Sequence, residues 1–161
     1  FYGNFGVVVR AYTYLLTVGK EYFDKVGKYS VLNANYIKES LKDVYELTID
    51  SICKHEFVFN GLIDKSDHVT TLDVAKRLLD YDVHPPTIYF PLVVKEALMI
   101  EPPETESKRT IDEFIAIMRT VAQEAKDDPD LVKGAPYTTV VKRLDEAKAA
   151  RNPIVKYRDI Q

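Results

Sequence analysis

His84-Pro85-Pro86-Thr87-Ile88-Tyr89-Phe90-Pro91, followed by Met99-Ile100-Glu101-Pro102, sets a proline corner between strand-like runs. Each proline fixes its own φ and removes a backbone donor. Pro85 and Pro86 also push His84 and Pro85 toward extended geometry. The His84 imidazole therefore stands on a rigid corner and is aimed by the backbone. Thr87 to Phe90 and Ala97 to Ile100 read as short strands, as do Tyr45 to Asp50 and His55 to Phe59, with Asn60-Gly61 as a turn signal. Helical stretches interleave with them. Thr70-Thr71-Leu72-Asp73 has the spacing of a capping box, and Leu72, Ala75, Leu78 and Leu79 share the face of the helix it opens. Thr105 or Ser107 caps a second helix, with Glu104 and Glu106 beside its positive end. That helix carries the stripe Ile111, Phe114, Ile115, Met118, Ala122 and Ala125, and stops before Asp127-Asp128-Pro129. Interleaved strands and helices give an α/β or α+β class, with a small sheet covered by helices over residues 45–130.

Outward from this layer, Val7, Val8, Ala11, Tyr14, Leu15 and Val18 recur at helical spacing, and Gly19 ends the helix. A long helix follows from Lys20 to Val44, with Val31, Ala34, Ile37, Leu41 and Val44 as its buried stripe. Gly27 weakens it by about 1 kcal/mol relative to alanine. Residues 1–44 are read as bridging helices from a larger domain that is absent from the sequence. Residues 131–161 are read as a basic, extended C-terminal tail with at most one short helix. The opening Phe1-Tyr2-Gly3, apolar and without methionine, reads as the start of a fragment of a longer chain.

Composition bounds the function. The 161 residues carry a formal net charge of −3 with both signs mixed along the chain. The basic excess of a nucleic-acid binder is missing. No apolar run approaches the ~20 residues needed to span a bilayer, and no basic start precedes an apolar stretch as in a signal peptide. A single cysteine, Cys53, has no internal partner, which fits a cytoplasmic protein.

Three histidines, His55, His68 and His84, are the first candidates for chemistry. Their spacings match no metal motif, so no metal site is assigned. The serines lack a nucleophile-elbow context, and Gly3-Asn4-Phe5-Gly6 is too short for a phosphate loop. Cys53 beside Lys54 reads as an ordinary, unreactive cysteine. His55 enters an apolar strand, either as a hydrogen-bonded strand entry or as a residue at a domain seam. His84 and Thr87 have the stronger claim to line an active-site wall, because a rigid corner is useful where position matters. Glu101 reads as a structural acceptor for nearby backbone donors. Arg10, on an apolar helix, reads either as a structural ion pair or as a partner for a bound group.

Several runs occur together in order: Phe1-Tyr2-Gly3-Asn4-Phe5-Gly6-Val7-Val8-Val9-Arg10-Ala11-Tyr12, Leu32-Asn33-Ala34-Asn35-Tyr36, His55-Glu56-Phe57, Asp73-Val74-Ala75-Lys76-Arg77-Leu78-Leu79-Asp80-Tyr81, and Ala135-Pro136 through Arg143-Leu144-Asp145-Glu146. With the proline corner, they make the chain resemble the C-terminal part of the glycine cleavage system P-protein family, the pyridoxal-phosphate-dependent glycine decarboxylases. The resemblance covers essentially the whole chain and is strongest to the second subunit of the two-subunit form. Two positions depart from it: Pro103 stands where the family usually has threonine, and Tyr137 where histidine is often found. The resemblance implies the small C-terminal domain of an aspartate-aminotransferase-like (type I) fold. It also implies pyridoxal phosphate as cofactor, glycine as substrate, and subunit 1 and the lipoyl-bearing H-protein as partners in a hetero-oligomer. His84, Thr87 and His55 would form the cleft wall or orient substrate, and Asn4 would reach the cofactor. The Schiff-base lysine of the family follows a serine-x-histidine stretch, and no lysine of this sequence stands in that context, so the piece alone is expected to be inactive, and it could self-associate through its exposed helices. Two alternatives stay open: the small domain of another type I enzyme (an aminotransferase or amino-acid decarboxylase), or a free-standing, non-catalytic interaction module.

Overall fold

The computed structural model describes residues 2–157. Ten elements follow in order: α1 Phe5–Val18, α2 Lys25–Leu41, β1 Tyr45–Leu47, β2 Phe57–Leu62, α3 Thr71–Leu79, β3 Thr87–Ile88, β4 Ala97–Ile100, α4 Lys108–Asp127, α5 Pro129–Gly134 and α6 Glu146–Arg151. The strands form one antiparallel sheet in the order β1-β2-β4-β3. This is the expected α+β layer.

The helices start where their side chains satisfy the first free backbone donors. Asn4 caps α1 by accepting from the Val7 amide. Thr70 and Asp73 close the capping box of α3, and Ser107, not Thr105, caps α4. Asp128 caps α5, with Pro129 in its first turn. The proline read as a stop for α4 thus also starts the next helix. Val132, Ala135 and Pro136 are buried, so the packed layer runs on through Pro136.

Several boundaries differ from the sequence reading, and β1 and β3 end early, at Leu47 and Ile88. The second helix begins at Lys25, because residues 20–24 form turns after Gly19, which has a φ of 70°. It ends at Leu41, which frees the Val44 carbonyl to accept from the Ile63 amide beside the sheet. Asn60-Gly61 is not a hairpin turn. Tyr45 pairs with Leu62 and Leu47 with Phe59, so Glu46 faces two residues of β2. Gly61, with a φ of 71°, takes up this β-bulge. The β2 strand also starts at Phe57, leaving His55 just before it.

One sheet face, carrying Phe57, Phe59, Leu98 and Ile100, meets Ala34, Ile37 and Leu41 of α2, Val74 and Leu78 of α3, and the α4 stripe. Tyr45 is fully buried, stacks at 5.4 Å from Phe59, and donates its hydroxyl to the Met118 carbonyl at 2.9 Å. Full burial of side chains such as Leu41, Leu78 and Leu98 stabilises by roughly 1.5–3 kcal/mol each, so the packing energy resides in this layer. Helix α1 contributes no buried residue. Its Phe5, Val7, Val8, Tyr12 and Leu16 are all exposed. Among the described residues, no helix is long and apolar enough to cross a membrane.

Candidate functional site

The register brings His84 and Thr87 to one end of the sheet, with His55 nearby. In this antiparallel arrangement β2 and β3 begin where β4 ends, with Phe57 opposite Ile100 and Thr87 opposite Met99. A groove of about 620 Å³ opens there. Its walls include His84, Pro85, Pro86 and Thr87 on one side, Glu101, Pro102 and Pro103 on another, and Ile111, Phe114 and Ile117 of α4 as an apolar floor. The proline corner places an exposed imidazole among the residues that line this concavity. Tyr81 and Asp82 lead into it; Asp82 has a φ of 57°, the left-handed turn that lets the chain leave α3 for the corner.

His55 is not part of this lining but stands beside Glu101, which is. Its Nε2 stands 3.8 Å from Glu101 Oε1, with both side chains more than half exposed. Glu101 therefore differs from its reading as an acceptor for backbone donors: among the described residues its polar partner is His55, and it accepts no backbone bond. Asn4 is placed elsewhere, as the exposed cap of α1, and does not line the groove. Arg10 is exposed on α1 and makes no ion pair among the described residues. Cys53 is half-buried, and burial pushes its thiol upward, which matches an unreactive cysteine.

The groove's ionisable lining is acidic. Asp82, Glu101, Glu106 and Glu113 face it together with His84, and among the described residues no lysine or arginine does. Such a lining repels phosphate and carboxylate groups. The anionic cofactor implied by the resemblance also needs a lysine amine, so the residues present do not fit it by themselves. Among the described residues, no group of three histidine, cysteine or acidic side chains gathers where a metal ion would sit.

Two of the quoted runs make contacts that their sequence does not announce. In Leu32-Asn33-Ala34-Asn35-Tyr36, the Asn35 amide donates to the Cys53 carbonyl at 2.8 Å and accepts from the Cys53 amide at 3.0 Å. Asn33 donates to the Pro103 carbonyl at 3.0 Å. The poor helix propensity of paired asparagines in mid-helix is the available signal. The second is the Asp73-to-Tyr81 run, which holds the segment after α5. Asp80 accepts from the Tyr137 and Thr138 amides and from Arg77, and Asp73 pairs with Arg143 at 2.7 Å. Arg77 in turn grips Glu124 of α4 through two bonds of 2.8 Å. Tyr137, the departure from the family pattern, is accommodated here, with its hydroxyl donating to the Leu131 carbonyl at 3.0 Å. Pro103, the other departure, exposes its ring to the groove, while the α4 cap rests on Ser107.

Comparison with known proteins matches residues 26–142 to the sequence profile of the family described as "Glycine dehydrogenase, C-terminal domain". That span begins inside α2 and ends before α6, so it coincides with the packed layer. Three bacterial relatives carry the name "Probable glycine dehydrogenase (decarboxylating) subunit 2". The one from Staphylococcus haemolyticus is 59% identical over 98% of this chain and 32% of its own length. That from Caldanaerobacter subterraneus subsp. tengcongensis is 57% identical over the same shares. That from Staphylococcus saprophyticus is 56% identical over 100% of this chain and 33% of its own. The chain spans about a third of the length of these relatives.

Proposed function

Because the chain belongs to the glycine dehydrogenase C-terminal domain family, we propose that it is the C-terminal part of a pyridoxal-phosphate-dependent glycine decarboxylase. The parent acts in the cytoplasm with a subunit 1 and delivers the aminomethyl group to the lipoyl arm of an H-protein. Residues 1–44 serve as bridging helices to the upstream domain. Two things support this division: the exposed apolar side chains of α1 call for a cover, and the named relatives extend to about three times this length. A free-standing module would carry a polar α1, and no observation favours that reading.

The observation that carries the proposal is the groove, which gathers His84, Thr87 and Glu101 at one end of the sheet, with His55 beside Glu101. The cofactor's phosphate and Schiff-base contacts belong upstream, since the acidic lining suits neither. What this chain contributes is a wall. Pro85 and Pro86 fix the backbone on which His84 offers its ring nitrogens and Thr87 its hydroxyl. Ile111, Phe114 and Ile117 exclude water from the floor. The carboxylates favour neutral or cationic groups over anions, so the carboxylate of glycine is held by other residues and the wall faces the arm or the departing product.

The test is His84→Ala in the full-length enzyme with its partner subunit, read by exchange of labelled bicarbonate into glycine. The expected result is a rate lowered about tenfold or more, with melting temperature and cofactor absorption unchanged. An unchanged exchange rate removes His84 from the site.

A further inference from the structure

We infer that Asn35 is a positioning residue for His55, acting through the Cys53 peptide, while Asn33 holds the facing Pro102-Pro103 corner. The inference rests on the reading of the groove as a functional wall. An asparagine side chain presents one acceptor and two donors, and Asn35 uses them to pair with both backbone polar groups of Cys53. It accepts from the Cys53 amide at 3.0 Å and donates to the Cys53 carbonyl at 2.8 Å. The same amide also reaches the Val31 carbonyl at 2.8 Å, which ties the clamp to its own helix. Lys38, only 2% exposed, reaches from the next turn to the Ser51 carbonyl. The segment leading into His55 is thus held at Ser51 and at Cys53 by one helix.

On the other side, Asn33 holds the Pro103 carbonyl at 3.0 Å. Residues two apart on a helix point about 200° away from each other, so Asn33 and Asn35 grip loops on opposite flanks of α2. Those loops carry Glu101 of the groove lining and its partner His55, which stand 3.8 Å apart. Among the described residues, neither is held there by bonds of its own side chain to the backbone. The β2–β4 register brings the two residues together, and α2 braces the loops beside them through its two asparagines, which otherwise disfavour a helix interior.

A mutant cycle in the full-length enzyme with its partner subunit tests this, with bicarbonate–glycine exchange as the assay. Asn35→Ala is expected to lower kcat roughly tenfold or more, the effect of a misplaced group near the chemistry, with KM nearly unchanged. In a His55→Ala background the same substitution is expected to change nothing further, because a residue that acts through His55 has nothing left to position. If the two losses multiply instead, Asn35 does not act through His55 and the inference is overturned, while the groove reading stands. An unchanged rate for Asn35→Ala also overturns it. If His55→Ala itself leaves the rate unchanged, His55 has no role in the reaction and the inference is overturned, while the groove reading is decided separately by His84→Ala. Should Asn35→Ala not fold, Asn35→Asp takes its place in the cycle. That variant keeps the acceptor for the Cys53 amide but loses the donor to its carbonyl, and the same non-multiplying pattern is required of it.

Discussion

Asp80→Asn removes one charge from the joint that fastens the segment after α5 to α3. The Asp80 side chain is 3% exposed. One of its oxygens accepts from the Tyr137 amide at 2.6 Å, the Thr138 amide at 2.8 Å and the Thr138 hydroxyl at 3.0 Å, and the other accepts from Arg77 at 3.0 Å. Bonds to a charged acceptor contribute roughly 1.5–3 kcal/mol against roughly 0.5–1.5 for neutral ones. The asparagine keeps an acceptor for the backbone donors but turns an NH2 toward the Arg77 guanidinium. Arg77 retains Glu124, which limits the damage. Losing charge from the backbone bonds and losing the Arg77 bond comes to about 3 kcal/mol. This is a local opening energy, and it corresponds to roughly 150-fold faster amide exchange. Hydrogen exchange followed by mass spectrometry over a peptide spanning residues 135–143 reads it in the intact protein. Burial alone pushes the Asp80 carboxyl up, but the Thr138 and Tyr137 amides, the Thr138 hydroxyl and Arg77 outweigh it and hold it below its ordinary 3.8. Arg77 likewise holds Glu124 below its ordinary 4.5, with Tyr81 adding to it against burial. A depressed carboxyl stabilises the fold above its ordinary value, and that contribution is lost as the pH falls through the lowered one. The difference between the Asp80→Asn variant and the unaltered protein is therefore full at neutral pH and shrinks below about pH 4. An acceleration under threefold at neutral pH, or one that grows on acidification, refutes this account of the joint.

Two glycines test packing. In Gly61→Ala, the new Cβ would stand 3.2 Å from Glu96 Cβ on a backbone with a φ of +71°; a loss of about 1–3 kcal/mol in chemical unfolding is expected, and an unchanged midpoint contradicts the bulge. Gly134 carries no such strain but has no room: a Cβ there would lie 2.2 Å from the Tyr137 hydroxyl oxygen. Gly134→Ala is expected to cost about 1–3 kcal/mol. Most of that loss is expected to vanish in a Tyr137→His background, whose shorter ring frees the space; an equal loss in both backgrounds removes Tyr137 as the cause.

The helices were legible because their signals are local. The α4 stripe, the Thr70–Asp73 box and the Ser107 cap each depend on residues within a turn or two, and the buried side chains of α4 follow the 3.6-residue period, whereas the α1 stripe and Val31 of α2 stay exposed. Asn60-Gly61 reads as a turn because a positive φ serves a turn and a bulge alike. Which one forms depends on β1, whose pairing places Glu46 opposite two residues. Pro129 reads as an end because proline cannot continue a helix, although the same ring suits the first turn of the next one.

The candidate site divides along the same line. The chain by itself determined the proline corner, because two pyrrolidine rings limit the backbone beside His84 whatever surrounds them. It also carried the family resemblance, residue by residue. Only the tertiary structure decided that His55 and Glu101 meet, since their approach depends on the register of β2 against β4. It alone also showed that Asn33 and Asn35 brace the two loops, and that Asp80 captures Tyr137 and Thr138. These contacts join residues far apart in sequence, and their geometry is set by packing that no local spacing encodes.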